Sequence, residues 1–221
     1  MNTTRRDCLR LAGLGGGGLL TGAMAAQAAS EPDPLSIFAK RQSVRHYKSD
    51  PVPEEHLRRI LDAARRCPSS GNQQPWKFLV VRDRAKIETM KARCLERFEA
   101  RLKGMPAAER ETRRPQMVQG LDGYFSAPVY VIVLTDSQST YPSYNHHDGP
   151  MAAGYLMLAA RALGYGTVYI TDSIPEEVTR EVFAIPERYQ RVCITPLGVP
   201  EAWPEPSPKK KLEDLVAWER V

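Results

Sequence analysis

At 221 residues the chain is long enough for one domain with a sizeable core and shorter than two ordinary domains need. Its formal charge of +5 at pH 7 falls to +3 when residues 1–28 are set aside, because three arginines and one aspartate go with them. Charge alone therefore does not suggest nucleic acid. The four cysteines, Cys8, Cys67, Cys94 and Cys193, form no Cys-x-x-Cys redox pair and no zinc-ligand spacing.

Arg5 and Arg6 precede an uncharged Gly/Leu/Ala run from Leu11 to Ala26, which is the order of a signal peptide. The paired arginines, the glycine-rich run and the Ala26-Gln27-Ala28 pattern predict twin-arginine (Tat) export to the periplasm, with cleavage after Ala28. Residues 29–221 are then one folded domain. The apolar run is too short and too rich in glycine to span about 30 Å of hydrocarbon. Gly13 to Gly18 matches G-x-G-x-x-G, yet no strand precedes it and no βαβ unit contains it, so it is a decoy.

Pro34, with Leu35, Phe38 and Ala39 on one face, predicts a short helix over residues 33–40. It leads into the basic segment Arg41 to Arg45. A second helix begins at Pro53, carries Leu57, Ile60, Leu61 and Ala64 at helical spacing, and must stop before Pro68. Residues 78–81 read as a buried strand after Trp76, and residues 85–102 as an exposed amphipathic helix. Residues 103–120 are polar and interrupted by proline, and predict no element.

Residues 129–134 form the next apolar strand, followed by a polar loop over 136–149. Residues 151–163 are alanine-rich and apolar almost all round, which predicts a helix buried in the middle of the structure or at a subunit interface. A strand over 167–171, a helix over 175–183 and a strand over 192–197 follow, and Cys193 reads as a buried small side chain. The tail over 200–208 is proline-rich and extended, and it delivers Lys209, Lys210 and Lys211 before an amphipathic end. Without a strict βαβα alternation, this order predicts an α+β domain that dimerises.

Three segments could carry chemistry. Alternate residues of Arg41-Gln42-Ser43-Val44-Arg45 project to one side of an extended stretch and present two guanidinium groups and a hydroxyl, which suits a phosphate. Pro68-Ser69-Ser70-Gly71-Asn72-Gln73-Gln74-Pro75-Trp76 is a turn dense in hydrogen-bonding groups, able to meet the polar edge of a heterocycle. Pro208-Lys209-Lys210-Lys211 is a compact positive cluster. His146-His147-Asp148 reads as loop polarity with Asp148 as a helix cap, because only His46 and His56 remain and no ligand spacing links them.

Taken together, Arg41-x-Ser43-x-Arg45, Pro68-Ser69-Ser70-x-Asn72-x-Gln74-Pro75-Trp76, Ala127-Pro128 before a strand, the apolar helix ending in Gly164-Tyr165-Gly166-Thr167 and the lysine cluster resemble the nitroreductase family in order and spacing. The resemblance covers nearly all of residues 35–221. It implies a nitroreductase-like α+β fold, with a central, mostly antiparallel sheet flanked by helices, in an intertwined homodimer. It also implies an FMN-dependent oxidoreductase that takes electrons from NAD(P)H or another donor and passes them, two at a time, to a nitroaromatic or quinone-type acceptor. Hydride transfer through flavin N5 then leaves no side chain as nucleophile. Reductive dehalogenation and oxygen-dependent flavin chemistry are alternatives on the same fold, and a non-enzymatic exported flavin-binding protein is a third.

Carried over by residue, the resemblance gives the FMN phosphate to Arg41, Ser43, Lys209 and Lys211. Arg45 goes to the N1 and O2 edge of the ring, where a cation stabilises the reduced, anionic flavin. Pro68, Ser69, Ser70 and Asn72 would reach the flavin of the opposite subunit. Tyr169, Ile170, Thr171 and Asp172 would face the ring with their backbone. This sequence has Arg45 where several relatives have lysine, Lys211 where some have arginine, and Thr171 and Asp172 where many have glycine.

Overall fold

The computed structural model describes residues 33–221; the predicted leader over residues 1–28 lies outside them. Four strands pair antiparallel in the order β1-β2-β4-β3, where β1 is Trp76–Val81, β2 is Val129–Asp136, β3 is Gly166–Thr167 and β4 is Tyr189–Gly198. Among the described residues six α-helices accompany them: α1 (Ser36–Lys40), α2 (Glu54–Ala64), α3 (Arg84–Lys103), α4 (Ala107–Tyr124), α5 (Asn145–Ala162) and α6 (Glu176–Phe183).

The central strand β2 explains the layering. Val129, Val131 and Val133 point into a cluster with Leu57, Ile60, Ala153 and Leu156 of α2 and α5. Tyr130, Ile132 and Leu134 point the other way, into a cluster with Ile87, Met90, Leu121 and Val178 of α3, α4 and α6. Both faces of the sheet are thus covered by helices, which is why β2 reads as an unbroken apolar run instead of alternating with period two.

Three elements differ from the sequence expectation. The stretch expected to have no structure is helix α4 over most of its length. Its fully buried apolar side chain, Leu121, lies in the last turn, and before it only Met117 and Val118 are apolar and half-buried, so no periodicity shows along it. It is tied to α3 by Lys91–Asp122 at 2.8 Å and Arg114–Glu99 at 2.7 Å, exposed pairs that contribute little each. Helix α5 starts at Asn145, six residues before the predicted start, because its first turn is polar side chains turned inward. Past Thr167 the predicted third strand leaves the sheet, and only Ile170 returns to pair with Ile194.

In β4, Val133 faces Cys193 while Leu134 faces Arg191, which leaves Val192 as the extra residue of a bulge. Gly149 packs beneath it, and a Cβ there would collide with the Val192 side chain. Cys193 is fully buried as expected, and burial pushes its thiol up to about 12. The Cys94 thiol is likewise pushed up to about 12 and that of Cys67 to about 11, so none is a thiolate near neutral pH.

Candidate active site

The Arg41 to Arg45 segment is held as a short extended strand beside β3. The amide of Val44 donates to the Thr167 carbonyl at 3.0 Å, and Ser43 pairs in parallel with Thr167. Buried Val44 and Tyr47 anchor it, with the Tyr47 hydroxyl donating to the Val44 carbonyl at 2.5 Å and the Tyr47 amide to Ser126 Oγ at 2.9 Å. Gly166 makes the close approach possible, since a Cβ there would come within 2.7 Å of the Val44 side chain. Val44 is turned inward, Arg41, Gln42 and Ser43 are half-buried, and Arg45 is exposed.

The tail leaves this neighbourhood. Lys48 donates its amide to the Val199 carbonyl at 2.8 Å, and Tyr47 pairs with Pro200. Trp203 lies under the Arg161 guanidinium at 3.8 Å, and Arg161 Nε donates to the Lys40 carbonyl at 2.9 Å, one residue before Arg41. Lys209 follows Trp203 by six residues, a reach of roughly 20 Å when extended. Lys209 and Lys211 are exposed on this tail. Among the described residues, no carboxylate lies within ion-pair distance of Arg41, Arg45, Lys209 or Lys211.

The serine-rich loop is bolted to the first turn of α5. Asp148, 3% exposed, accepts from the Ser70 amide at 3.0 Å and the Ser70 hydroxyl at 3.1 Å through Oδ1, and from Gln73 Nε2 at 2.7 Å through Oδ2. Asp148 therefore clamps the loop to α5, and the helix-cap expectation is corrected. Gln73 also accepts the Tyr141 amide at 2.7 Å, and Ser69 Oγ accepts the Gln74 amide at 3.0 Å.

Gly71, Asn72 and Gln74 all take positive φ, at 56°, 53° and 48°. At Gly71 a Cβ would also meet the Tyr141 ring at 2.5 Å, so only glycine fits there. Ser70 is spent on this scaffold, while Pro68 and Asn72 stay exposed at the loop surface.

The 169–172 stretch follows Thr167 directly, and so continues from the residue that pairs with Ser43. Ile170 exchanges both backbone hydrogen bonds with Ile194, at 3.1 and 3.0 Å, which leaves its backbone no group to offer a ring. Burial, and then Cys193 beside it, pushes the Tyr169 hydroxyl up to about 12. The amides of Thr171 and Asp172 have no acceptor among the described residues, and both residues are exposed. They are the donors this stretch has to offer.

Sequence reasoning missed Arg191, which holds that stretch in place. From the bulge in β4 it donates to the Thr171 carbonyl at 2.5 Å and to the Ile174 carbonyl at 2.7 Å. Burial lowers the affinity of its guanidinium for its proton, yet no ordinary pH discharges an arginine. Arg191→Met keeps the bulk and removes both bonds. We expect it to cost about 1–3 kcal/mol, read from the urea midpoint, with faster proteolytic cleavage confined to residues 171–173. Unchanged cleavage there would show that the loop holds itself.

Two unpaired guanidinium groups and a half-buried hydroxyl on the segment beside β3, with two free amides on the stretch that follows β3, suit a ligand with a phosphate and a polar flat ring. Known proteins agree with that chemistry. The profile of the Nitroreductase family matches residues 38–199. The chain is 31% identical over 206 residues to the NADH dehydrogenase of Thermus thermophilus, covering 84% of this chain and 96% of that protein. It is 30% identical over 188 residues to the iodotyrosine deiodinase of Thermotoga neapolitana, covering 81% and 94%. The crystal structure of a nitroreductase with bound FMN from Desulfitobacterium hafniense superposes with a TM-score of 0.65 at 25% identity, covering 84% of this chain and 97% of that one. By its fold, its site and these likenesses, the chain belongs to the nitroreductase family.

Proposed function

We propose that the chain reduces a small organic acceptor, of nitroaromatic or quinone type, two electrons at a time in a ping-pong cycle. It is an FMN-dependent oxidoreductase. The observation that carries the reading is the Ser43–Thr167 pairing, which sets Arg41, Ser43 and Arg45 alongside the stretch that ends in the free amides of Thr171 and Asp172. FMN, when bound, supplies the redox chemistry through its ring.

This chain's residues then bind and orient. Arg41, Ser43, Lys209 and Lys211 take the phosphate, because charge-assisted bonds from guanidinium and ammonium groups are the strong ones. Arg45 brings a cation to the polar edge of the ring, and the amides of Thr171 and Asp172 direct the ring from the loop that Arg191 holds. Cofactor and acceptor need no side-chain nucleophile, in keeping with three buried, protonated thiols.

A second copy of the chain completes the site. Residues 201–221 are exposed throughout, with Trp218 at 82% and Leu212 at 68%, and Leu35 and Phe38 of the N-terminal segment are exposed at 68% and 61%. Apolar side chains on an extended arm find cover in a homodimer, which also lets Pro68, Ser69 and Asn72 of one protomer approach the cofactor of the other.

The leader over residues 1–28 sends the protein to the periplasm, where NAD(P)H, a cytoplasmic coenzyme, is scarce. An exported enzyme therefore takes its electrons from another donor, whereas an unexported one would use NAD(P)H.

The likeness to a deiodinase supports a second reading, reductive removal of halogen from an aromatic ring. Anaerobic turnover on a panel separates the two. Reduction of nitroaromatics and quinones with no halide release from iodinated phenols is the expected result, and halide release with no nitro reduction would replace the first reading by the second.

A further inference from the structure

A cavity of about 560 Å³ opens between α3 and α4, with Asp172 and Ser173 on its wall. Its apolar lining is Phe98, Leu102 and Met105 on one side and Met117, Leu121 and Tyr124 on the other, with Gln116 beside them. Two guanidinium groups interrupt it, Arg101 and Arg113. Arg113 is taken by Glu109 at 2.8 Å. Among the described residues, Arg101 has no carboxylate within ion-pair distance, and Asp172, though on the same wall, is not close enough to pair with it.

The wall is also held open at one point. Gly120 sits inside α4, where glycine weakens a helix, and a Cβ built on it meets nothing within 4 Å. No close contact requires the missing side chain, so the glycine widens the cavity.

An adjoining cavity of about 620 Å³ shares Arg101 and Asp172, with Arg97, Ala100, Pro175, Glu176, Glu177 and Arg191 also around it. There Arg97 pairs with Glu181 and Glu176 with Arg180, each at 2.9 Å. Arg101 thus stands where the two cavities meet, and its guanidinium has no carboxylate partner among the described residues.

We propose that the chamber between α3 and α4 is the acceptor pocket, and that it takes an aromatic carboxylic acid: the ring lies among Phe98, Leu102, Met117 and Tyr124, and the carboxylate meets Arg101. Aromatic and thioether side chains suit a flat ring, and a guanidinium suits a carboxylate through two parallel bonds. This deepens the reading above and rests on it in one respect, that Thr171 and Asp172 border the cofactor. Asp172 lines both the chamber and the stretch assigned to the ring, and so connects them.

The test is isothermal calorimetry on the purified full chain, with 4-nitrobenzoate as the acid, nitrobenzene as its neutral counterpart and 4-nitrobenzylamine as its cationic one. The acid is expected to bind at least about tenfold tighter than the neutral ring, an advantage that Arg101→Gln removes. Gly120→Leu fills the chamber, so it is expected to weaken both the acid and nitrobenzene about tenfold or more with no fall in thermal midpoint.

Equal affinity for acid and neutral ring, tighter binding of the amine, or unchanged binding in Gly120→Leu would each overturn the proposal. Heat of binding does not depend on turnover, so the two readings fail separately. Protein that carries FMN but ignores 4-nitrobenzoate sinks the pocket alone. Protein that takes up no FMN, yet binds the acid in the stated pattern, sinks the cofactor site alone.

Discussion

Replacing Arg41 and Lys209 together by alanine is expected to give largely colourless protein. In the proposed site each cation would contribute a charge-assisted hydrogen bond to the cofactor phosphate, about 1.5–3 kcal/mol apiece. Losing both weakens FMN binding by roughly 10²- to 10⁴-fold, enough for the cofactor to wash out during purification. Arg41 is half-buried and Lys209 fully exposed, and neither belongs to an apolar cluster, so the fold is expected to survive with an unchanged thermal midpoint. Flavin absorbance per chain reads the result directly. Yellow protein with unchanged occupancy would move the phosphate elsewhere on the molecule.

Asp148→Ala is expected to be the most damaging single change at the site. It removes one buried carboxylate and strands three donors at once: the Ser70 amide, the Ser70 hydroxyl and Gln73 Nε2. Water can reach part of this half-buried loop, which moderates the penalty to about 2–4 kcal/mol. For a domain of this size that lowers the thermal midpoint by roughly 5–15 °C.

The loop over residues 69–74 carries three positive-φ residues, and without the clamp it loses what holds that conformation. Proteolysis and hydrogen exchange should therefore open there first. Asp148→Asn keeps an acceptor for Ser70 but presents an amide to Gln73, so an intermediate loss is expected. Equal stability of all three proteins would show that the loop is held by its own turns.

Much of the scaffold was legible because its strands are buried on both faces. The runs in β2 and β4 are plain apolar stretches, and the short helix α2 carries its bounding prolines and its stripe in view. Helix α4 was illegible for the opposite reason. It lies on the outside, buries little before Leu121, and contains Pro115, so neither period nor propensity marks it. The start of α5 reads as loop because Asn145 and Asp148 are polar and point inward, Asn145 donating to the Asp136 carbonyl and Asp148 accepting from the serine-rich turn.

The same contrast holds at the site. Arg41, Ser43 and Arg45 are visible as an alternating pattern in an extended segment, and the structure pairs that segment with Thr167. Asp148 and Arg191 are single charges in or beside apolar segments, and their targets are backbone groups far away in the chain. Arg191 reaches Thr171 across 20 positions and Asp148 reaches Ser70 across 78, pairings that no local pattern announces. The sequence predicts a strand over residues 167–171. Past Thr167 the structure spends only Ile170 on the sheet and leaves the next two amides free.

The claim beneath all of this is that the chain holds FMN in a site completed by its twin. Denaturing the purified full chain and measuring released FMN, alongside the molar mass in solution, tests it most directly. One FMN per chain on a particle of two chains is the expected result. A monomer, or a dimer that stays colourless after incubation with excess FMN, would contradict it.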